Sequence, residues 1–197
     1  MAQPRRICLP DVTYHTFSRC HNRDNLMTLD RMKDLLLEVI NMAMEKYIFQ
    51  LSTYAIMDNH FHFVIKTVKN EADISHIMQF IKAQYARRYN KITGRTGAFW
   101  NERFGDTIIE MSDDPEGYFM WLKNYINHNP VRAGIVCDPR KYKYSSIHAY
   151  LDENYLSPVK ITIHEYYLKL GSTFQERVKK FKQYEDAYNK RLSLSFL

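Results

Sequence analysis

The chain has 197 residues, a formal net charge of +6 and 14% aromatic residues, against only six glycines and six prolines. This composition excludes a largely disordered protein, and the length supports one folded domain with its own core. No apolar run approaches the roughly 20 residues of a membrane-spanning helix, and three cysteines without close pairing argue against a disulfide framework. We expect a soluble cytoplasmic protein with no membrane contact, and the positive charge favours a polyanionic partner.

The first half of the chain predicts strands around one helix. The segment "DVTYHTFSRC" carries β-branched and aromatic residues in partial alternation and predicts a first strand. From Asp30 to Lys46, apolar residues recur every three or four positions, which predicts an amphipathic helix capped by Thr28 or Asp30. The segments "FQLSTYAIM" and "HFHFVIKT" follow. They predict an antiparallel pair or one long kinked strand, since Asp58 and Asn59 between them favour a turn or bulge.

The second half returns to helices with one strand between them. A helix is predicted over Asp73 to Asn90, and the glycines that follow it stop it. A glycine-rich basic loop then leads into a predicted strand over Asp106 to Met111. The helix after it begins at "SDDP" and is closed by Pro130.

This order of elements indicates the fold class. Strand, helix, strand pair, helix, strand and helix with short connections predict an α+β protein, with one antiparallel sheet of about four strands and helices on one face. We expect residues 1–151 to form this domain. Residues 152–197 are expected to form a basic helical C-terminal tail.

Two histidines, His60 and His62, stand in a segment that otherwise has the pattern of a buried strand. Side chains alternate along a strand, so these two share one face with α-carbons roughly 6 to 7 Å apart, while Phe61 and Phe63 face the other way. Two imidazoles at that spacing can converge on one ion. Such pairs also arise by chance and merely hydrogen-bond at a sheet surface, so the spacing leaves both interpretations open.

A second pair, Tyr125 and Asn129, lies four residues apart on the predicted helix that precedes Pro130. This spacing places a phenol and an amide oxygen one turn apart on the same helix face. The phenol is a potential nucleophile and the amide a potential metal ligand. Against this, Tyr125 belongs to an apolar stripe typical of core residues, and Pro130 disfavours helical angles at the residue before it.

Four segments together carry a family resemblance: "YAIMDNHFHFVIK", "YARRYNKITGRTGAFWNERF", "YINHNPVRAGIV" and "YKYSSIHAYL". In this order and spacing they resemble the single-tyrosine HUH transposases, most closely the REP-associated tyrosine transposases of bacterial chromosomes, from about Val12 to Leu151. The resemblance implies a ferredoxin-like or RNA-recognition-like sheet, with the histidines on a central strand and the tyrosine on a helix beside it. Cys20 departs from the family, which has glycine after "SR", so the role of the first loop does not carry over.

The resemblance also implies roles for individual residues. His60 and His62 of "HFH", with Asn129 of "YINHN", would hold a divalent ion, Mg²⁺ or Mn²⁺, and Tyr125 would be the nucleophile. The implied activity is metal-dependent cleavage and strand transfer of single-stranded or hairpin DNA through a covalent 5′-phosphotyrosine. Family members act as dimers or as monomers. We expect a monomer here and leave the oligomeric state open.

The alternative function is a catalytically inactive protein that binds hairpin DNA or RNA through the same fold. The intact set of His60, His62, Tyr125 and Asn129 argues against it, because loss of any one would end the chemistry. A metal-dependent hydrolase with water as its nucleophile is more distant, and it would form no covalent intermediate.

Contacts with DNA are predicted in the basic and aromatic segment 82–104. Basic side chains would meet phosphates there, and aromatic ones could stack on unpaired bases. The candidates are Arg95, Arg103 and Trp100. The alternative is a solvated helix face with Phe99 and Trp100 in the core. The basic tail either holds a DNA hairpin or is a charged surface helix.

Overall fold

The structure, a computed structural model, describes the backbone of residues 6–194 and the side chains of residues 6–193. Its four strands are β1 (Thr13–Arg19), β2 (Phe49–Ile56), β3 (His60–Thr67) and β4 (Gly105–Ile108). Its helices are α1 (Asp30–Lys46), α2 (Ile74–Thr93), α3 (Pro115–Asn127), α4 (Asn129–Arg132), α5 (Glu165–Leu168) and α6 (Phe174–Leu194).

The four strands form one sheet in the order β2-β3-β1-β4, and every neighbouring pair is antiparallel. With α1 and α2 placed between strands, the chain follows the β-α-β-β-α-β path of the ferredoxin-like fold. The predicted α+β class is therefore confirmed. Strands β1 and β3 are central, so the histidines of β3 lie on an interior strand.

Strands β2 and β3 form a hairpin rather than one kinked strand. The turn at Asp58 and Asn59 is closed by a hydrogen bond from the Met57 amide to the His60 carbonyl, 2.7 Å long. A 2.7 Å ion pair between Lys33 of α1 and Asp58 ties the turn to the helix. The hairpin fixes His60 as the first residue of β3.

Both faces of the sheet are covered, which corrects the expectation of helices on one face only. Phe61 and Phe63 of β3 belong to the core that α1 and α2 cover, whereas Val64 belongs to a second apolar cluster with α3. Strand β3 is thus apolar in part on both faces, and α3 buries Phe119 and Ile126 against the second one. The histidines lie on the α3 face because they alternate with the phenylalanines.

The C-terminal segment packs on this second face. Tyr167 of α5 and Phe181 of α6 are buried in the same cluster as Phe119, and the Thr162 amide donates to the Leu51 carbonyl at 2.9 Å. Residues on both sides of position 151 therefore share one apolar cluster. The division into units 1–151 and 152–197 stays a prediction.

Several element ends differ from the predicted ones. Helix α1 has its predicted bounds, but Leu29 occupies its N-cap without a side-chain hydrogen bond, and the Thr28 hydroxyl donates to the Asn25 carbonyl instead. The predicted cap by Thr28 or Asp30 is wrong, because the local turn takes the hydroxyl. The strand predicted to reach Met111 stops at Ile108 and continues as a 3₁₀ turn.

Helix α2 extends three residues beyond its predicted end and stops at Gly94, which has a left-handed φ of 68°. Its N-terminus is capped by Asp73, whose carboxylate accepts from the His76 amide at 2.9 Å. Among residues 6–194, no helix is both long and apolar enough to cross a membrane.

Candidate active site

The two histidines of β3 lie together on the face that α3 covers. Their ring centroids are 5.2 Å apart with the rings perpendicular, and His62 is 6% exposed while His60 is partly buried. The shared face predicted from alternation is therefore present.

Each histidine has its Nδ1 atom held by a polar partner. Nδ1 of His60 lies 2.7 Å from Oδ1 of Asn59, which can only accept, so His60 donates from Nδ1. Nδ1 of His62 lies 2.9 Å from Nε2 of His15 on β1. If His62 donates in that contact, both histidines keep a lone pair on Nε2, the arrangement usual for metal ligands held by outer partners.

Burial keeps all three imidazoles neutral. It lowers the pKa of His15 to about 4. Burial, and then the nearby charge of Arg19, lowers the pKa of His60 to about 4. Burial and then His15 and His60 lower the pKa of His62 well below its ordinary value. A neutral imidazole can donate a lone pair to a metal, so the environment suits ligands at neutral pH.

Helix α3 brings Tyr125 and the start of α4 brings Asn129 to the same place. The rings of Tyr125 and His62 are 5.6 Å apart and perpendicular. Asn129 is within side-chain hydrogen-bonding reach of His60, and its Nδ2 donates to the Tyr125 carbonyl at 3.1 Å. The predicted one-turn relation of Tyr125 and Asn129 is therefore present.

The turn around Pro130 explains why Tyr125 and Asn129 remain one helical turn apart. Helix α3 ends at Asn127, earlier than predicted, and Pro130 lies in the first turn of α4 rather than after a helix. Proline needs no amide partner in a first turn, so the backbone stays close to helical there. The Arg132 amide donates to the His128 carbonyl at 2.9 Å across the junction.

These side chains fit a divalent cation. The Asn129 amide nitrogen is engaged with Tyr125, which leaves Oδ1 as its acceptor beside the neutral ring of His60. Two acceptors that face one another gain from a cation between them. Within residues 6–194, no group of three or more His, Cys, Asp and Glu side chains could hold a metal ion. The candidate site combines two histidines with an amide.

Two residues around the site were not predicted from sequence. His15 is bonded to His62 and lies in the segment "YHTFSR". It is on the same face of β1 as the two exposed residues of that strand. The guanidinium of Arg132 lies 5.1 Å from the Tyr125 ring centroid and also reaches the Tyr188 hydroxyl. Positions 125, 129 and 132 follow a helical period, a signal that would have pointed to Arg132.

The predicted DNA-contact residues lie elsewhere. Trp100 and Arg103 line a groove of about 1040 Å³ beside α2, on the side of the sheet opposite the histidines. Trp100 is 9% exposed, and its indole nitrogen donates to the Lys82 carbonyl at 2.9 Å. It therefore packs against the core, as the alternative interpretation of this segment predicts. Arg95 donates to the Ala98 carbonyl within its loop. Contact of Arg95, Trp100 and Arg103 with DNA stays a prediction.

Comparison with known proteins gives the family. The model of the family described as "Transposase IS200 like" matches residues 8–129, more than half of the chain. A Haemophilus influenzae protein that carries the name of the REP-associated tyrosine transposases is 25% identical over 135 residues, which are 60% of this chain and 74% of the relative. A solved REP-associated tyrosine transposase, bound to a REP hairpin, aligns with 83% of this chain and all of its own, with a TM-score of 0.63 and 19% identity. The chain belongs to the IS200-like transposase family and resembles its REP-associated tyrosine transposases.

Proposed function

We propose that this protein cleaves and rejoins single-stranded DNA next to a hairpin, through a covalent bond between Tyr125 and a 5′-phosphate. The convergence of Tyr125, Asn129 and the two neutral histidines supports this most directly. The side chains come from β3, α3 and α4, so folding alone brings them together.

The metal site in this proposal consists of His60, His62 and Asn129. Transposases of this kind are generally metal-dependent. A bound divalent ion would neutralise charge on the scissile phosphate and stabilise the charge that builds in the transition state. Imidazole is a softer ligand than Mg²⁺ prefers, so Mn²⁺ should bind at least as tightly as Mg²⁺. His15 contacts Nδ1 of His62, and Asn59 contacts Nδ1 of His60. Both act as positioning residues.

Tyr125 acts as the nucleophile. Its phenol oxygen forms a bond to phosphorus, and the bond from phosphorus to the 3′ oxygen of the preceding nucleotide breaks. The phenol proton passes to water and the leaving 3′ oxygen takes up a proton, so protons balance. Because one phosphate ester replaces another, a 3′-hydroxyl can later reverse the step and join strands without ATP.

Arg132 supports this step through its charge. The guanidinium lies 5.1 Å from the Tyr125 ring centroid and is exposed, so it can meet the phosphate that Tyr125 attacks. Its contact with Tyr188 of α6 makes the C-terminal helix a support of the site.

The DNA partner follows from chemistry and relatedness. The net charge of +6 suits a polyanion, and the structural relative is a transposase bound to a REP hairpin. An inactive hairpin-binding protein is the second candidate; it predicts affinity for hairpin DNA with no covalent product.

The test is incubation of the protein with hairpin DNA that carries single-stranded flanks, labelled at its 5′ or its 3′ end. With Mn²⁺, the 3′ label should move to the protein band, and the 5′ label should remain on a shorter DNA. EDTA should abolish both products. Activity undiminished by EDTA would remove the metal from the proposal, and binding without any product would favour the inactive alternative.

A further inference from the structure

An aromatic ring that takes no part in the chemistry proposed above lies beside the histidines. Phe17 of β1 pairs with His62 in the sheet register, and the two rings have centroids 5.9 Å apart. Phe17 is 42% exposed, although His15 and His62 next to it are buried. Single exposed apolar side chains are common on protein surfaces, so this exposure alone carries no inference.

The neighbouring strand holds the ring in place. Gly105 of β4 pairs with Phe17, and a Cβ atom at Gly105 would lie 2.7 Å from Cε1 and Cε2 of the ring and closer still to Cζ. Any other residue at position 105 would displace the ring, so the absence of a side chain lets Phe17 lie across the strand. An aromatic ring over a sheet glycine also stabilises the sheet, and that role must be separated by experiment.

Positive charge flanks the ring. Arg19 is the next residue on the same face of β1, it is exposed, and it pairs with His60 in the register. On the other side of the histidines, Arg132 is exposed beside Tyr125. A phosphate chain that passes over the histidines therefore meets a guanidinium group on each side.

The rings of Tyr125, His62 and Phe17 follow one another across the α3 face of the sheet. Tyr125 lies 5.6 Å from His62 by ring centroids, and His62 lies 5.9 Å from Phe17. Strand β1 is the neighbour of β3 on the side of Phe17, so Phe17 and Arg19 lie next to a phosphate bound at Tyr125 and the histidines.

We propose that Phe17 is a stacking platform for an unpaired base next to the scissile phosphate, with Gly105 making room for the ring and Arg19 meeting a neighbouring phosphate. This inference rests on the proposed function, because it names a subsite of the same DNA. Aromatic side chains on four-stranded sheets hold unpaired bases in this way. A base paired within a duplex has both faces stacked already, so the platform favours single-stranded DNA.

The test measures binding in EDTA, so that it does not depend on cleavage. Wild-type protein and Phe17→Leu are titrated against a fluorescent oligothymidine and against an abasic strand with the same number of phosphates. Stacking is sequence-tolerant, and its loss should weaken binding to oligothymidine about ten-fold. Binding to the abasic strand should stay unchanged, because no base is present to stack. Phe17→Trp should bind oligothymidine as well as wild type does.

Two controls separate stacking from stability. Leucine still covers Gly105, so Phe17→Leu should melt close to wild type, and Ile48→Ala, another exposed apolar position, should leave both affinities unchanged. Equal weakening on both strands, or no weakening on either, overturns the platform. The proposed function has a separate test, because its failure would appear as the absence of the Tyr125 adduct. The binding measurement does not depend on that adduct.

Discussion

Strand β3 supplies the core with one face and the candidate active site with the other. Phe61 and Phe63 are fully buried under α1 and α2, and their rings stack with centroids 4.2 Å apart. His60 and His62 alternate with them and have their ring nitrogens engaged by polar partners under α3. A shift of one position along the strand thus separates a residue of the core from one that lies in the candidate active site.

Substitutions at neighbouring residues of β3 should change different properties of the protein. Phe63→Ala should lower the free energy of unfolding by about 3 to 5 kcal/mol, because it leaves a cavity in the core. His62→Ala should cost less stability but abolish Mn²⁺ binding. Urea unfolding and calorimetric titration with Mn²⁺ measure the two quantities. Full Mn²⁺ affinity in the His62 variant would show that this residue is not a metal ligand.

Acid should destabilise the protein in part through the buried histidines on the α3 face of the sheet. Buried His164 lies at the other end of that face, where Nε2 is 3.0 Å from the Thr13 hydroxyl, and burial lowers its pKa to about 4. Between pH 6.5 and 4 the unfolded chain binds a proton that the folded chain does not, so stability should fall as the pH falls through this range, by at most about 3 kcal/mol for one histidine. The contribution is fully present above pH 6.5.

His164→Gln removes this titrating group, so its unfolding free energy should depend less steeply on pH than that of the wild type between pH 6.5 and 4. Unfolding in urea across this range measures both slopes. Identical slopes would mean that His164 titrates alike in the folded and unfolded chains.

A substitution at His15 tests whether this residue positions His62 as a metal ligand. His15→Ala should weaken Mn²⁺ binding about 10- to 100-fold, because His62 loses the partner of its Nδ1 atom. His15→Gln retains an acceptor and should recover part of the affinity. His164→Gln, a change at another buried histidine of the same face, should leave Mn²⁺ binding unaltered. Unchanged affinity in His15→Ala would show that His15 only packs.

The sequence predicted much of this arrangement, for physical reasons that differ by residue. Alternation placed His60 and His62 on one face, and helical period placed Tyr125 near Asn129, because both are local regularities of the backbone. His15 escaped prediction because its contact with His62 joins two strands through the sheet register. Trp100 is a predicted DNA contact that packs against the core with 9% of its surface exposed, since composition does not show which aromatic residues the core takes.

Local sequence patterns also could not predict that helices cover both faces of the sheet. Apolar residues on α3 indicate that the helix packs, but the side of the sheet it packs on depends on where the chain crosses after β4. That crossing is what brings Tyr125 to the histidines.

A matched pair of tyrosine variants on α3 tests whether Tyr125 is the nucleophile. Tyr118 lies two turns before Tyr125 on the same helix, and its ring stacks on Trp121, which in turn stacks on Tyr125. With 3′-labelled hairpin DNA and Mn²⁺, Tyr118→Phe should form the covalent protein–DNA band, and Tyr125→Phe should bind the DNA without forming it. A labelled band of wild-type strength in Tyr125→Phe would show that another residue is the nucleophile.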